Sequence, residues 1–339
     1  PWNITYSDGT TSTSVTTSSS TYTFSVSLAT TKTYTVTSLS DAKCTAVAGD
    51  ITGSAVITVN PLPTITGTLN ACVGSTTQLT GSATADATTP WSSASTGVAT
   101  ISNTGLVTGV SAGTSVITYK NNNGCIITAT VTINALPTVT IPNTNQSLCK
   151  ASGSPSGTLL TPTTTTTIST YQWYSNTTAS NTGGTQVATT STFTPPNTNT
   201  GELFYYLTVT NNNGCVATSN VSGSIKVYGQ PTISPLPNTT SYCINAPAAT
   251  LTPTITNGGY GTLNYQWYSN TTSSISGAQT ITNETNATFT PPTTAAGVKY
   301  YYVVVTNGGP ISASNCNTLT SNIAEIKVYA TPTIPTDPI

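Results

Sequence analysis

Apolar side chains recur at every second position in this chain, in short runs set between turn-forming residues. In Phe204-Tyr205-Tyr206-Leu207-Thr208-Val209-Thr210, strand periodicity places Tyr205, Leu207 and Val209 on one face and Phe204, Tyr206 and Thr208 on the other. Tyr300-Tyr301-Tyr302-Val303-Val304-Val305-Thr306 repeats the pattern. The Asn-Asn-Asn-Gly runs at 121–124 and 211–214 are hairpin chemistry, since Asn and Gly tolerate positive φ. Many short alternating runs, split by Asn, Gly and Pro, predict an all-β chain of antiparallel sandwiches.

A proline-marked junction divides these runs. It is read at Pro63, Pro137, Pro231 and Pro332, spaced by 74, 94 and 101 residues. Such spacings are domain lengths, longer than solenoid repeats. Tyr171-Gln172-Trp173-Tyr174-Ser175-Asn176-Thr177-Thr178 recurs letter for letter at 265–272, and Phe193-Thr194-Pro195-Pro196 recurs at 289–292. The expected domains are therefore 1–60, 61–135, 136–229 and 230–330, with 331–339 a linker to a further domain. Trp2 precedes Cys44 by 42 residues, as Trp173 precedes Cys215, so the first domain is expected to begin just before its Trp strand and to lack its first strand. Short Pro-stiffened linkers favour an elongated head-to-tail array.

Trp91-Ser92-Ser93, Gly97-Val98-Ala99-Thr100-Ile101-Ser102, Gly105-Leu106-Val107-Thr108-Gly109-Val110, Ala112-Gly113-Thr114 and Val116-Ile117-Thr118 together resemble the bacterial Ig-like group 2 domain over residues 64–134. The other three segments, with their Trp-centred strand, Tyr-rich strand and Asn-Gly-Cys turn, resemble the Ig/PKD-type repeats of giant SprB-like gliding-motility adhesins exported by type IX secretion. That resemblance implies tandem Ig-like β-sandwiches in the stalk of an extracellular, cell-surface adhesin. Its partners would be neighbouring repeats of the same long chain, with surface glycans or other cells engaged through other regions.

Composition narrows the chemistry. Of 339 residues only 4% are charged, against about 25% in an ordinary domain. There is no His, and the seven cations are all lysines. General acid/base, triad and metal-site chemistry thus lacks its usual residues, and neither a catalytic role nor a cofactor or metal is expected. A net charge of −1 without arginine argues against nucleic acid, and no apolar run reaches the roughly 18 residues of a membrane-spanning helix. With 81 Thr, the wet faces of the strands are expected to carry hydroxyls in place of Lys and Glu.

Seven cysteines, Cys44, Cys72, Cys125, Cys149, Cys215, Cys243 and Cys316, fall one early and one late in each complete domain. That placement suits disulfides in an oxidising exterior. Pairing within domains would give 72–125, 149–215 and 243–316. Cys72, however, lies nine residues beyond Pro63, about 30 Å of strand and so at the far pole of its sandwich, whereas Cys125 follows a turn at the near pole. A disulfide needs Cα atoms within about 7 Å, so a staggered scheme, 72–215 and 149–316, is the second alternative.

Trp91, Trp173 and Trp267 are expected in the cores. Phe204, Tyr206, Tyr300 and Tyr302 face outward in the strand pattern and are candidate surface contacts; as sugar-stacking platforms they would suit a carbohydrate-binding accessory array of a secreted polysaccharide-degrading enzyme. Asp8, Asp41, Asp50 and Asp86 are too scattered for calcium and read as turn residues. An isopeptide bond at Lys226 or Lys327 would need a neighbouring acid; Glu325 adjoins only Lys327 and is expected on the opposite face. The Asn-Thr-Thr triplets beginning at Asn176, Asn238 and Asn270 have the form of glycosylation acceptors, which a chain this rich in Asn and Thr contains by chance.

Overall fold

Strands form where Thr, Val, Ile and Tyr alternate, because such side chains pack best on a pleated surface. The computed structural model describes residues 1–151, 157–256, 261–309 and 314–333, with only the backbone of Ser314 and Asn315. Among the described residues the single helix is the four-residue Ser314–Asn317. The chain divides into two compact units, Pro1–Ala135 and Leu136–Ile339.

Strand pairing separates each unit further into two modules. The first module is one antiparallel sheet, in the order Ser12–Thr17, Trp2–Ser7, Lys32–Ser40, Ser54–Ile57. None of its residues, all described, is buried, because one sheet has no second layer to close against. The second module is a sandwich of two four-stranded sheets. One runs Ile65–Gly67, Thr76–Gly81, Leu106–Gly109, Ala99–Ile101; the other runs Asn70–Cys72, Ile126–Asn134, Gly113–Lys120, Trp91–Ser93. Leu79, Trp91, Val107, Ile117, Tyr119, Val131 and Ile133 meet between them.

The third and fourth modules share one plan. In the third, a large sheet orders Gln146–Cys149, Ile225–Tyr228, Gly201–Asn211, Ile168–Asn176, Thr185–Ala188, with Val216–Thr218 also paired to the long strand. Facing it is only a two-stranded sheet, Val139–Thr140 with Thr163–Thr164. The fourth repeats this with Thr239–Cys243, Ala324–Tyr329, Gly297–Asn307, Leu263–Asn270 and Gln279–Thr280 against Thr232–Ile233 and Ile255–Thr256. Trp173 and Trp267 are fully buried, and each indole N–H donates to a backbone carbonyl, Thr190 O at 2.9 Å and Asn286 O at 3.0 Å.

Register corrects one equivalence drawn from spacing. Trp173 lies opposite Leu207 and stacks on Phe193, which touches Tyr205. Trp267 lies opposite Val303 and stacks on Phe289, which touches Tyr301. In the first module the residue opposite Val36, stacked on Phe24 beside Tyr34, is Tyr6. Trp2, the first residue of its strand, pairs with Thr17 and is 44% exposed. Tyr6, and not Trp2, is the counterpart of Trp173; the shared 42-residue spacing is coincidental.

In each of the last three modules the strand that ends in the early cysteine runs parallel to the module's last strand. Asn70–Cys72 pairs with Thr132–Asn134, Gln146–Cys149 with Ile225–Tyr228, and Thr239–Cys243 with Glu325–Tyr329. The chain therefore leaves each module at the pole where the early cysteine sits.

Candidate functional site

Cys149 ends its strand opposite Tyr228, and the next residue stays in the ladder, Lys150 N–H donating to Tyr228 O at 2.8 Å. Behind it, the buried Asn197 side chain donates through Nδ2 to Cys149 O at 2.9 Å. The sulfur is thereby fixed beside Gly229, where the chain crosses to the fourth module. Cys316, held in the Ser314–Asn317 turn of that module, lies with its Sγ 3.9 Å from Gly229 O. Cys149 and Cys316 form a disulfide with Cα atoms 5.8 Å apart, and Tyr228 packs over the bond. This connectivity excludes 149–215 and 243–316, for a spatial reason: the near-pole turn of the fourth module abuts the far pole of the third.

Cys72 and Cys215 are also disulfide-bonded. Cys72 occupies in the second module the place of Cys149 in the third, at the end of the parallel strand, opposite Asn134. Cys215 is set by its Asn-Asn-Asn-Gly turn: Asn211 Oδ1 accepts from Asn213 N–H at 3.0 Å and Cys215 N–H at 2.9 Å, and Gly214 supplies φ 78°. The turn before Cys125 is the same, with Asn121 Oδ1 accepting from Asn123 and Cys125 and Gly124 at φ 80°. Cys44, Cys125 and Cys243 are free thiols, and Cys125 Sγ lies 3.9 Å from Asn60 O in the junction before its module.

The outward tyrosines do not offer the surface that strand periodicity gives them. Tyr206 and Tyr302 are 5% and 6% exposed. Each stacks on the tyrosine across the strand pair, Tyr174 or Tyr268, with centroids 5.0 Å apart, and is roofed by the loop after that strand. Gly184 N–H donates to the Tyr206 hydroxyl at 3.0 Å, and a Cβ at Gly184 would lie 2.8 Å from the Tyr206 ring. Phe204 and Tyr300 are half-buried. A cleft of about 370 Å³ in the third module and one of about 210 Å³ at the same place in the fourth are floored by Tyr205 and Tyr301. Those rings are 1% and 2% exposed, so neither cleft presents an aromatic face for a sugar to stack on.

Other polar candidates serve local structure. Asn176 Nδ2 donates to Thr182 O at 3.0 Å and Asn270 Nδ2 to Ser274 O at 2.6 Å, so both amides are committed to their own turns. Glu325 Oε1 lies 3.4 Å from Lys327 Nζ, which corrects the expectation of opposite faces: residues two apart on a strand share one. Among the described residues there is no group of three or more His, Cys, Asp or Glu able to hold a metal, and no helix is long and apolar enough to cross a membrane.

Asp8, Asp41 and Asp86 cap turns by accepting backbone N–H groups. Their carboxyls are held below the ordinary range, chiefly by Thr11 N–H, Lys43 N–H and Thr89 N–H respectively. Lys32 and Lys120 add ion pairs to Asp8 at 3.2 Å and Asp86 at 2.9 Å. Burial pushes the Tyr205 phenol up to about 12. A lowered folded pKa gives stability that is present above the unfolded value, about 3.9 for Asp, and lost as the pH falls below it. A raised folded pKa gives stability that is complete below the unfolded value, about 10 for Tyr, and lost as the pH climbs to about 12. With no histidine to titrate between, thermal melts followed by circular dichroism should give a flat midpoint from about pH 5 to 9, falling on either side. A midpoint that moved between pH 6 and 8 would contradict this.

No protein-family model matches the chain, and no curated protein matches it. Solved structures do. The three N-terminal domains of the bacteriophage RB49 highly immunogenic outer capsid protein are 12% identical at a TM-score of 0.37, covering 79% of this chain and 98% of that one. The N-terminal eight Ig domains of Down Syndrome Cell Adhesion Molecule are 11% identical at 0.39, covering 89% of this chain and 40% of that one. Immunoglobulin domains 1–4 of Sidekick-1 are 12% identical at 0.31, covering 97% and 91%.

Proposed function

We propose that this chain is a load-bearing stalk segment of a secreted bacterial cell-surface adhesin, in which Ig-like modules at 1–60, 61–135, 136–229 and 230–330 follow one another and the last three are stapled end to end by disulfides. The observation that carries this reading is the Cys149–Cys316 bond, which ties the far pole of one module to the turn of the next. A staple serving only the stability of one sandwich would close within it. The parallel pairing of first and last strands supports the same reading: it brings the early cysteine to the pole where the chain leaves the module, so that a bond there carries tension past the strands.

By the equivalence of Cys72 with Cys149 and of Cys215 with Cys316, the second staple is Cys72–Cys215, giving a ladder in which each early cysteine bonds the late cysteine of the following module. Such bonds persist in an oxidising exterior. A surface of hydroxyls and amides with few charges limits nonspecific attraction, so adhesion to glycans or other cells belongs to other regions. The resemblance of its Trp-centred and Tyr-rich strand motifs to SprB-like repeats supports export by type IX secretion and a role in gliding motility. Peptide mapping without reductant tests the ladder directly. Cross-linked peptides 149–316 and 72–215 are expected; recovery of 149–215 or 72–125 from folded protein would end this reading.

A further inference from the structure

Cys243 is free, yet its surroundings reproduce those of the bonded Cys149. Each ends the first strand of a large sheet, each lies opposite a tyrosine of the parallel last strand (Tyr329 or Tyr228), and the following N–H donates to that tyrosine's carbonyl at 2.8 Å in both modules. The segment behind is alike as well: Ala151 N–H donates to Asn197 O and Asn245 N–H to Thr293 O, each after a Pro-Pro pair. What differs is the cover. Cys149 is 8% exposed and half-buried Tyr228 packs over its bond, whereas Cys243 is exposed and Tyr329 is 58% exposed. A thiol and an aromatic ring, side by side on one pole, are thus both bare where their counterparts are closed.

We propose that Cys243 is a covalent docking point for another module of this repeat type, taking a near-pole turn cysteine of the Cys316 kind, with Tyr329 closing over the new bond. The proposal rests on the load-bearing reading above and names the partner that reading requires at this pole. Oxidation needs a small-molecule disulfide such as oxidised glutathione. The Cys243 thiolate attacks one of its sulfurs and expels a glutathione thiolate. The partner thiolate then displaces the second, so that two protein thiols and one glutathione disulfide become one protein disulfide and two glutathione thiols.

The test appends a second copy of residues 233–333 directly after Thr333, which keeps the junction length found at Gly229-Gln230-Pro231-Thr232. The extended chain is folded in a glutathione redox buffer, alkylated and mapped without reductant. Cys243 should be recovered linked to the appended counterpart of Cys316, and its alkylation should fall about tenfold or more relative to the parent chain. Cys243→Ser in the extended chain should leave that appended cysteine open to alkylation. A second extension carrying residues 139–229, whose turn cysteine is Cys215, should behave alike. Alkylation of Cys243 at the parent level in both extended chains, with Cys149–Cys316 intact, would overturn the proposal alone; absence of Cys149–Cys316 itself would overturn the load-bearing reading with it.

Discussion

Stretched from its ends as a single molecule, the oxidised Cys72→Ser chain, in which Cys149–Cys316 is the closed bond, should unfold with the residues between Cys149 and Cys316 missing from its extension. The bond spans a sequence separation of 167 residues, and tension reaching Cys149 passes through the sulfurs to Cys316 without loading the chain between. At about 3.3–3.6 Å per extended residue, reduction should lengthen the fully extended molecule by at least about 550 Å. Adding Cys149→Ser to Cys72→Ser should release the same length in the absence of reductant, which separates this bond from any other. The hidden stretch contains the Trp173 and Trp267 strands and the long Gly201–Asn211 and Gly297–Asn307 strands. Equal contour lengths with and without reductant would mean that the joint does not shortcut the load, and the mechanical role would fall with it.

The alternation in 204–210 and 300–306 placed Tyr205, Leu207, Val209 and their counterparts on the core face because strand periodicity is local, and the structure buries those residues. Period alone could not show that Tyr206 and Tyr302, on the other face, would be roofed. Their cover comes from the irregular loops after Asn176 and Asn270, which fold back through Asn side-chain bonds to carbonyls four and six residues on. The roles of Tyr6 and Trp2 were hidden for a related reason. The chain takes 30 residues from Tyr6 to its partner Val36 but 34 from Trp173 to Leu207, so counting back from the cysteine overshoots by four and selects the wrong aromatic. Disulfide connectivity lay beyond the residues of any one module, since it depends on which pole of one sandwich meets which pole of the next. The parallel pairing of first and last strands fixes that, and it is a long-range contact with no periodic signature.

Trp173→Ala should be the most destabilising single substitution in the third module, by about 3–5 kcal/mol. The indole is fully buried, stacks on Phe193 with ring centroids 5.6 Å apart, and packs in a cluster with Leu160, Tyr205, Leu207, Val209 and Ile225. Its loss opens a cavity and leaves Thr190 O without the 2.9 Å bond from Nε1. The two-stranded sheet opposite is too small to collapse into the gap, so little of the lost contact can be recovered. Tyr6→Ala, at the equivalent register position of the first module, should cost only about 1 kcal/mol, because Phe24 beside it is already 41% exposed and no second sheet closes over the pair. Denaturant melts of the two variants in the intact chain, with the disulfides closed, make the comparison. Similar losses at the two positions would show that Tyr6 is as well enclosed in solution as Trp173, and that the first module closes a core its single sheet does not contain.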